Sequence, residues 1–259
     1  MKIAISGKGG VGKTTLSAML AAALGLKDRA VVALDADPDA NLAAALGVPF
    51  GEQPTPLSEM RELIAERTGS TGGYGGYFKL NPRVDDIPET YARHIGNIRL
   101  LSLGGVKEGG AGCICPATAL LKALLTHLIL TRDEALVMDM EAGLEHLGRA
   151  TAQSMDAMVI VVDEGRWSVQ TAHRIRKLAS DLGMKNLLAV ANRITEGTDL
   201  DRIRAELGDI PLIGQIPLDR RLENGVVTLD GEDGMCPTEG LRGHLANVDS
   251  ILSELERAD

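Results

Sequence analysis

The chain has 259 residues, of which 44% are apolar and only 2% aromatic, and its formal net charge is −9. The length suits one large α/β domain running over 1–259 with a core of Ala, Leu, Val, Ile and Met, and the negative balance argues against non-specific contact with nucleic acid or anionic membrane. The opening MKIAISGKGG does not read as a signal peptide, no apolar run approaches a membrane span, and three cysteines do not make a disulfide framework, so a reduced, cytoplasmic setting is expected.

Strands and helices alternate along the chain. Lys2 to Ser6 reads as a short apolar strand, and Thr14 to Leu24 as a helix with Leu16, Met19, Leu20, Ala23 and Leu24 on one face. Ala30 to Leu34 reads as a strand and Asn41 to Leu46 as a short helix. Residues 51 to 97 are rich in Gly, Pro and charge, including the run Gly69 to Gly76, and read as a mobile loop or insertion. Further strands are expected at Ile98 to Leu103, Ala135 to Met138, Ala157 to Val162, Leu187 to Ala191 and Leu212 to Ile216. Helices are expected at Ala117 to Leu130, Ser168 to Leu182, Asp201 to Leu207 and Glu239 to Leu255. This order predicts an α/β fold: a doubly wound, mainly parallel sheet with helices on both faces and ligands at the carboxyl ends of the strands.

Gly7-Lys8-Gly9-Gly10-Val11-Gly12-Lys13-Thr14 matches the phosphate-binding pattern G-x-x-x-x-G-K-[ST]. The glycines let the backbone of Gly9, Gly10, Val11 and Gly12 turn tightly and aim N–H groups at phosphate oxygens, and the helix that follows offers its positive end. Lys13 brings a point charge to the terminal phosphates, the Thr14 hydroxyl a ligand for Mg²⁺, and Thr15 continues the site. An ATPase that binds ATP or ADP with Mg²⁺ is the expected activity.

The second lysine of KGGVGKT, Lys8, makes the segment resemble the deviant Walker A motif of dimeric ATPases related to MinD, ParA and the nitrogenase iron protein. The resemblance implies that Lys8 reaches the partner's nucleotide across a homodimer. Asp35-Ala-Asp37-Pro38-Asp39 resembles that family's first switch, which makes Asp37 the candidate catalytic carboxylate that orients water. Asp139-Met-Glu141-Ala-Gly143 resembles the second switch, with Asp139 near Mg²⁺ through water and Gly143 near the γ-phosphate. By the same resemblance Asn192 reads the adenine edge and the segment at Pro217 packs on the base. Asp35 and Asp39 read more readily as turn or cap residues.

Cys113-Ile114-Cys115-Pro116 places two thiols two residues apart, and in an extended segment both point one way. Two thiolates are too few to close a metal site, whereas a two-fold dimer brings four, suited to Ni²⁺ or Zn²⁺. Two structural cysteines, or a redox pair, are the other readings. Taken together, GKGGVGKTT, DADPDA, LNPRVD at Leu80 to Asp85, the C-x-C segment and DMEAGLEHLGR resemble the CooC-type nickel-insertion ATPases, which include the acetyl-CoA synthase factor of the AcsF type. The resemblance implies a metallochaperone that holds nickel between two C-x-C motifs of a homodimer and delivers it to carbon monoxide dehydrogenase or acetyl-CoA synthase. The competing readings are a positioning ATPase like MinD or ParA and an electron-transfer ATPase like the nitrogenase iron protein. His94, His127, His146, His173 and His244 form no ligand spacing, Cys236 stands apart, and Trp167, the only tryptophan, reads as a packing residue first, with a dimer contact as the other reading.

Overall fold

The apolar runs that lack helical periodicity become strands buried on both faces, and the alternation of residues along them divides the interior into two cores. A computed structural model describes residues 1–70, 77–105, 115–143, 147–230 and 234–258. In chain order, β1 (Lys2–Gly7), α1 (Lys13–Gly25), β2 (Val31–Asp35) and α2 (Leu42–Ala45) come first. α3 (Arg61–Thr68), α4 (Ile87–Thr90), β3 (Arg93–Ile95) and β4 (Ile98–Ser102) follow. Next are α5 (Pro116–Leu130), β5 (Ala135–Asp139), α6 (Arg149–Gln153), β6 (Ala157–Val162) and α7 (Arg166–Leu182). β7 (Leu187–Ile194), α8 (Leu200–Leu207), β8 (Leu212–Pro217), β9 (Val227–Asp230), β10 (Gly234–Pro237) and α9 (Glu239–Ala258) complete the order.

The main sheet has eight strands in the order β3-β4-β2-β5-β1-β6-β7-β8, and β9 pairs with β10 in a separate antiparallel ribbon. Every neighbouring pair in the main sheet is parallel except β3–β4. The expected doubly wound sheet is therefore present, with an antiparallel edge. Ile3 and Ile5 of β1, and Ala157, Val159 and Val161 of β6, point into the core beneath α1 and α9. Their alternates Ala4, Met158, Ile160 and Val162 point into the core beneath α5 and α7. This is the two-residue period of a sheet covered on both faces.

α1 differs from its expected amphipathic form. Every residue from Leu16 to Gly25 is buried, because the helix lies between the sheet and the helices α2 and α9. Its alanines let those neighbours approach closely, as expected of a helix hydrophobic all round.

Residues 51–97 are not a loop throughout. α3, α4 and β3 lie there, with 3-10 turns at Phe50–Glu52 and Leu57–Glu59. The apolar residues Leu57, Leu63, Val84 and Ile87 are buried in the core beneath α5. They are too widely spaced among polar residues to give a periodic signal. Arg67 clamps Asp86 through two hydrogen bonds of 2.9 and 2.7 Å and ties α3 to the segment before α4. Gly69 caps α3 in the left-handed region at φ 69°. The remainder of the glycine-rich run, 71–76, lies outside the described residues.

Trp167 does not pack into a core: it is 70% exposed. It sits in the first turn of α7, on the side opposite Val169, Ala172, Ile175 and Ala179, which are buried. Among the described residues, no helix is long and apolar enough to cross a membrane.

Candidate functional site

β1 lies at the middle of the sheet, between β5 and β6, so the loop after it opens at the carboxyl ends of three buried strands. Gly10 and Gly12 take φ of 82° and 90°, the left-handed region that favours glycine. At Gly12 space is also decisive, because a Cβ there would collide with Asn192 Nδ2. Gly12 is the residue before α1, which has no acidic residue in its first turn. The helix therefore presents unshared N–H groups and its positive end to the cleft.

A cleft of about 410 Å³ stands over this loop, and its walls include Gly9, Gly10, Gly12, Lys13, Thr14 and Thr15. Asp37, Asn192 and Pro217 line the same cleft. Folding thus gathers residues from four separate parts of the sequence that were expected to share one site. Lys13 is buried, whereas Lys8 is exposed and is not among the cleft's lining residues.

Two acidic segments meet beside the loop, and they are held differently. Asp35 is buried and accepts hydrogen bonds from Asp37 N at 3.2 Å and Leu42 N at 2.8 Å. It staples the turn that displays Asp37. Burial lifts its carboxyl to about 7, although the two backbone donors oppose the rise. Asp37 is partly exposed and lines the cleft, and its Oδ1 accepts from Asp39 N at 3.0 Å. Asp139 is fully buried at the end of β5; its Oδ1 accepts from the Ser17 hydroxyl at 3.0 Å, and its Oδ2 has no hydrogen-bond partner. Burial pushes this carboxyl up to about 6, against the nearby Thr14 and Ser17 hydroxyls and the Lys13 ammonium. A buried, unpartnered carboxylate oxygen next to Thr14 fits a hydrated Mg²⁺, a hard cation that takes oxygen ligands and keeps its waters. The two segments touch through Ala36 N, which donates to Asp139 O at 2.9 Å. The Ser6 hydroxyl donates to Glu141 O at 2.8 Å and links the second segment to β1. Gly143 is the last described residue before 144–146, and His146 lies outside the described residues.

The far wall of the cleft joins the flagged residues Asn192 and Pro217 to two that the sequence did not flag, Arg193 and Asp219. Asn192 Nδ2 donates to Val11 O at 2.9 Å, so this side chain supports the phosphate loop directly. The register of β7 against β8 shifts between Asn192 and Ile194, and Arg193 takes φ 60°. A bulge of this kind re-aims side chains. It brings Arg193 Nη1 to Gly10 O at 2.9 Å, a second clasp on the same loop. Asp219 lines the cleft beyond Pro217 and accepts from Arg221 N at 2.9 Å, the Arg221 guanidinium at 2.7 Å and His244 Nε2 at 3.1 Å. The Arg221 side chain and backbone N–H hold its carboxyl well below the usual carboxylate range. The only signal for Asp219 in the sequence was its place after Pro217; the bulge at Arg193 gave none.

Cys115 is the N-terminal cap of α5, extended at φ −100° and ψ 162°. Its sulfur accepts from Thr118 N at 3.4 Å and lies 3.1 Å from the Thr118 hydroxyl. Partial burial disfavours the thiolate, but the Thr118 hydroxyl and the backbone N–H groups of the first turn outweigh it, and the thiol is held below its usual range. An open groove of about 500 Å³ between α3 and α5 includes Cys115, Ile64 and Ala65 in its lining. Cys113 lies outside the described residues. Among the described residues, no three His, Cys, Asp or Glu side chains converge as a metal-binding group. Cys236 is exposed on β10.

A parallel sheet with its phosphate loop at the central strand, faced by two acidic turns, defines a P-loop nucleotide-binding protein. Residues 2–227 match the family model described as the CobQ/CobB/MinD/ParA nucleotide binding domain, and the chain belongs to that family. Within it the chain is of the CooC type. It is 46% identical over 225 residues, 86% of each chain, to the carbon monoxide dehydrogenase accessory protein CooC of Rhodospirillum rubrum. It is 47% identical over 226 residues to an uncharacterized ATP-binding protein of Methanocaldococcus jannaschii, covering 86% of this chain and 87% of that one. Among solved structures it resembles the cell division protein MinD of Aquifex aeolicus, with a TM-score of 0.65 and 19% identity over 99% of this chain and 97% of that chain. MinD of Pyrococcus horikoshii, solved with Mg-ADP, gives a TM-score of 0.62 and 21% identity over 100% of this chain and 96% of that chain. Those two likenesses concern the fold.

Proposed function

We propose that the chain is a Mg²⁺-dependent ATPase that works as a homodimeric nickel metallochaperone for carbon monoxide dehydrogenase or a related nickel enzyme such as acetyl-CoA synthase. The observation that carries the ATPase reading is the cleft in which Lys13, Thr14, Asp37, Asn192 and Pro217 meet. The backbone of Gly9 to Gly12 and the start of α1 bind the phosphates, and Lys13 fixes the terminal one. Thr14 and Asp139 would hold Mg²⁺, which when bound offsets charge on the phosphate oxygens. Asp37, displayed by the Asp35 staple, orients the attacking water, and Gly143 closes toward the γ-phosphate. Asn192 and Pro217 hold the adenine end. Lys8, which stands outside its own cleft, acts on the nucleotide of the partner chain.

The client and cargo rest on the likeness to CooC and on the chemistry of Cys115. A thiol biased toward thiolate at a helix N-terminus is a good ligand for a soft or borderline cation. One C-x-C pair from each of two chains gives four sulfurs, and the nickel ion is the substrate they carry. The deciding experiment measures bound nickel or zinc and particle mass with no nucleotide, with ADP and with a non-hydrolysable ATP analogue. One metal ion per dimer, lost on Cys113→Ala or Cys115→Ala, is the expected result; stoichiometric metal on a monomer, or metal retained by both variants, removes the reading. Lys8→Ala should bind ATP normally yet lose most of its turnover, and unchanged hydrolysis and ATP-linked dimerisation would remove the role across the interface.

A further inference from the structure

α7 carries a surface that the nucleotide cleft and the Cys115 groove do not use. Trp167, Arg174 and Leu178 fall on one line of this helix, within about 40° of one another and over about 16 Å. Trp167 is 70% and Leu178 44% exposed. Arg166 and Lys177 flank the line and are exposed too.

Three observations set this stripe apart from an ordinary solvated face. The indole stands on a fixed base. The Ser168 hydroxyl donates to Gly165 O at 2.7 Å, Asp163 Oδ1 accepts from Gly165 N at 3.0 Å, and Arg202 donates to Glu164 O at 2.8 Å from α8. A large apolar side chain held in water on a rigid support forgoes the gain of burial, and tryptophan is among the residues that dominate protein interfaces. Cations outnumber carboxylates on this face: Arg166, Arg174 and Lys177 form no ion pair among the described residues, against the helix's one carboxylate, exposed Asp181 a turn beyond Lys177, whereas Arg176 on the adjoining side of α7 pairs with Asp209. Arg166 also occupies the first position of α7, where the macrodipole favours an acid, so helix stability does not account for it.

We propose that this stripe is a docking surface for an acidic, amphipathic segment of a partner protein. The indole enters an apolar pocket of the partner, and the partner's carboxylates meet Arg166, Arg174 and Lys177. Charge disfavours a second copy of the chain on the same face, because a two-fold contact along α7 sets one mainly cationic face against another. Two apolar side chains are also too few for the continuous apolar face that holds a helix in a lipid surface. The stripe starts just after β6, whose Val161 lies beside Gly7 in the sheet, so a docked partner sits next to the root of the phosphate loop. The proposal does not depend on which metal the chain carries.

Trp167 is the only tryptophan, so the indole emission of the intact chain reports this surface alone. The full chain, with and without ADP, is titrated with a synthetic helical peptide of Glu and Leu at amphipathic spacing. A blue shift of the emission that weakens with salt is expected. The double variant Arg174→Glu with Lys177→Glu should bind the peptide about tenfold less tightly or worse, with ADP affinity and helix content unchanged. The proposal is overturned if the Glu/Leu peptide gives no shift, or if a Lys/Leu peptide of the same pattern does as well. It is equally overturned if phosphatidylglycerol vesicles give the shift and the Glu/Leu peptide does not. Trp167→Ala should leave the mass with an ATP analogue unchanged; a dimer that falls to monomer would give the surface to a second copy instead.

Discussion

The phosphate loop and the cysteine cap both sit where a loop enters a helix, yet they are built on opposite plans. Gly7 to Thr15 is locked from several sides: Asn192 and Arg193 grip its carbonyls, Ser6 ties it to the second acidic segment, and buried Lys13 lies near Asp139. Among the described residues, Cys115 is held by the turn it caps, with Thr118 as its partner, in an open apolar groove. A site preorganised by distant elements binds its ligand within one chain, because the geometry is fixed before the ligand arrives. A ligand residue held by local contacts alone can be completed by something outside the chain. The comparison therefore separates a nucleotide site that one chain builds from a thiol that one chain offers.

The largest effect that sharpens this contrast is expected from Lys13→Ala, which should lower ATP turnover by roughly 100-fold or more without unfolding the protein. Steady-state hydrolysis and calorimetric nucleotide titration measure it; near-normal turnover would break the assignment of the loop. Cys115→Ala should lower metal affinity by at least about tenfold while nucleotide affinity stays within about twofold. Competition with a chromophoric chelator reads the first and the same titration the second; a comparable loss of both would show that the two regions are one site. Gly12→Ala forces a side chain into the left-handed region and against Asn192, at about 1–3 kcal/mol, and should weaken nucleotide binding with a matching fall in Tm. An unchanged Tm would mean that the clasp from β7 is not part of the loop's rigidity.

The smallest effect concerns pH. Asp35 has a folded-state value raised to about 7 from an ordinary 3.8, and Asp139 one raised to about 6. The folded chain therefore binds protons more tightly than the unfolded one, so their contribution to stability is full below about 4 and is lost as pH rises toward 7. Asp85 and Glu134, both lowered to about 2 by arginine partners, act the other way, but their contribution is complete above the unfolded carboxylate range. Between about pH 5 and 7 the slope from the buried pair remains. Asp35→Asn should lower overall stability by roughly 1–3 kcal/mol, since one backbone donor loses its acceptor, and flatten that slope. Denaturant midpoints at several pH values test it, and an unaltered slope would place the titration elsewhere.

The parts of the site that the sequence exposed are those whose chemistry needs a fixed local order. Gly10 and Gly12 must be glycine for the loop to turn, and Lys13 and Thr14 must follow directly for their side chains to meet what the loop holds. Buried strands such as Ala157 to Val162 were legible because a continuous apolar run of that length between turn residues has few other uses. The segment 51–97 was not, since Leu57, Leu63 and Ile87 reach the core singly, each from its own short turn. Trp167 was misjudged because it was read singly: only against the helical spacing of Val169, Ala172, Ile175 and Ala179 does it fall off the covered face.

The sequence by itself determined a P-loop nucleotide-binding protein on a parallel sheet, because the phosphate motif and the strand–helix alternation are local patterns set by backbone geometry. Tertiary structure alone decided that Ala36 joins the two acidic segments through Asp139, that Asn192 and Arg193 clasp the loop from β7, and that α7 turns an indole and three cations outward. Those outcomes depend on which strands become neighbours and which helix faces are covered, and contacts between residues more than a hundred positions apart leave no trace in local order.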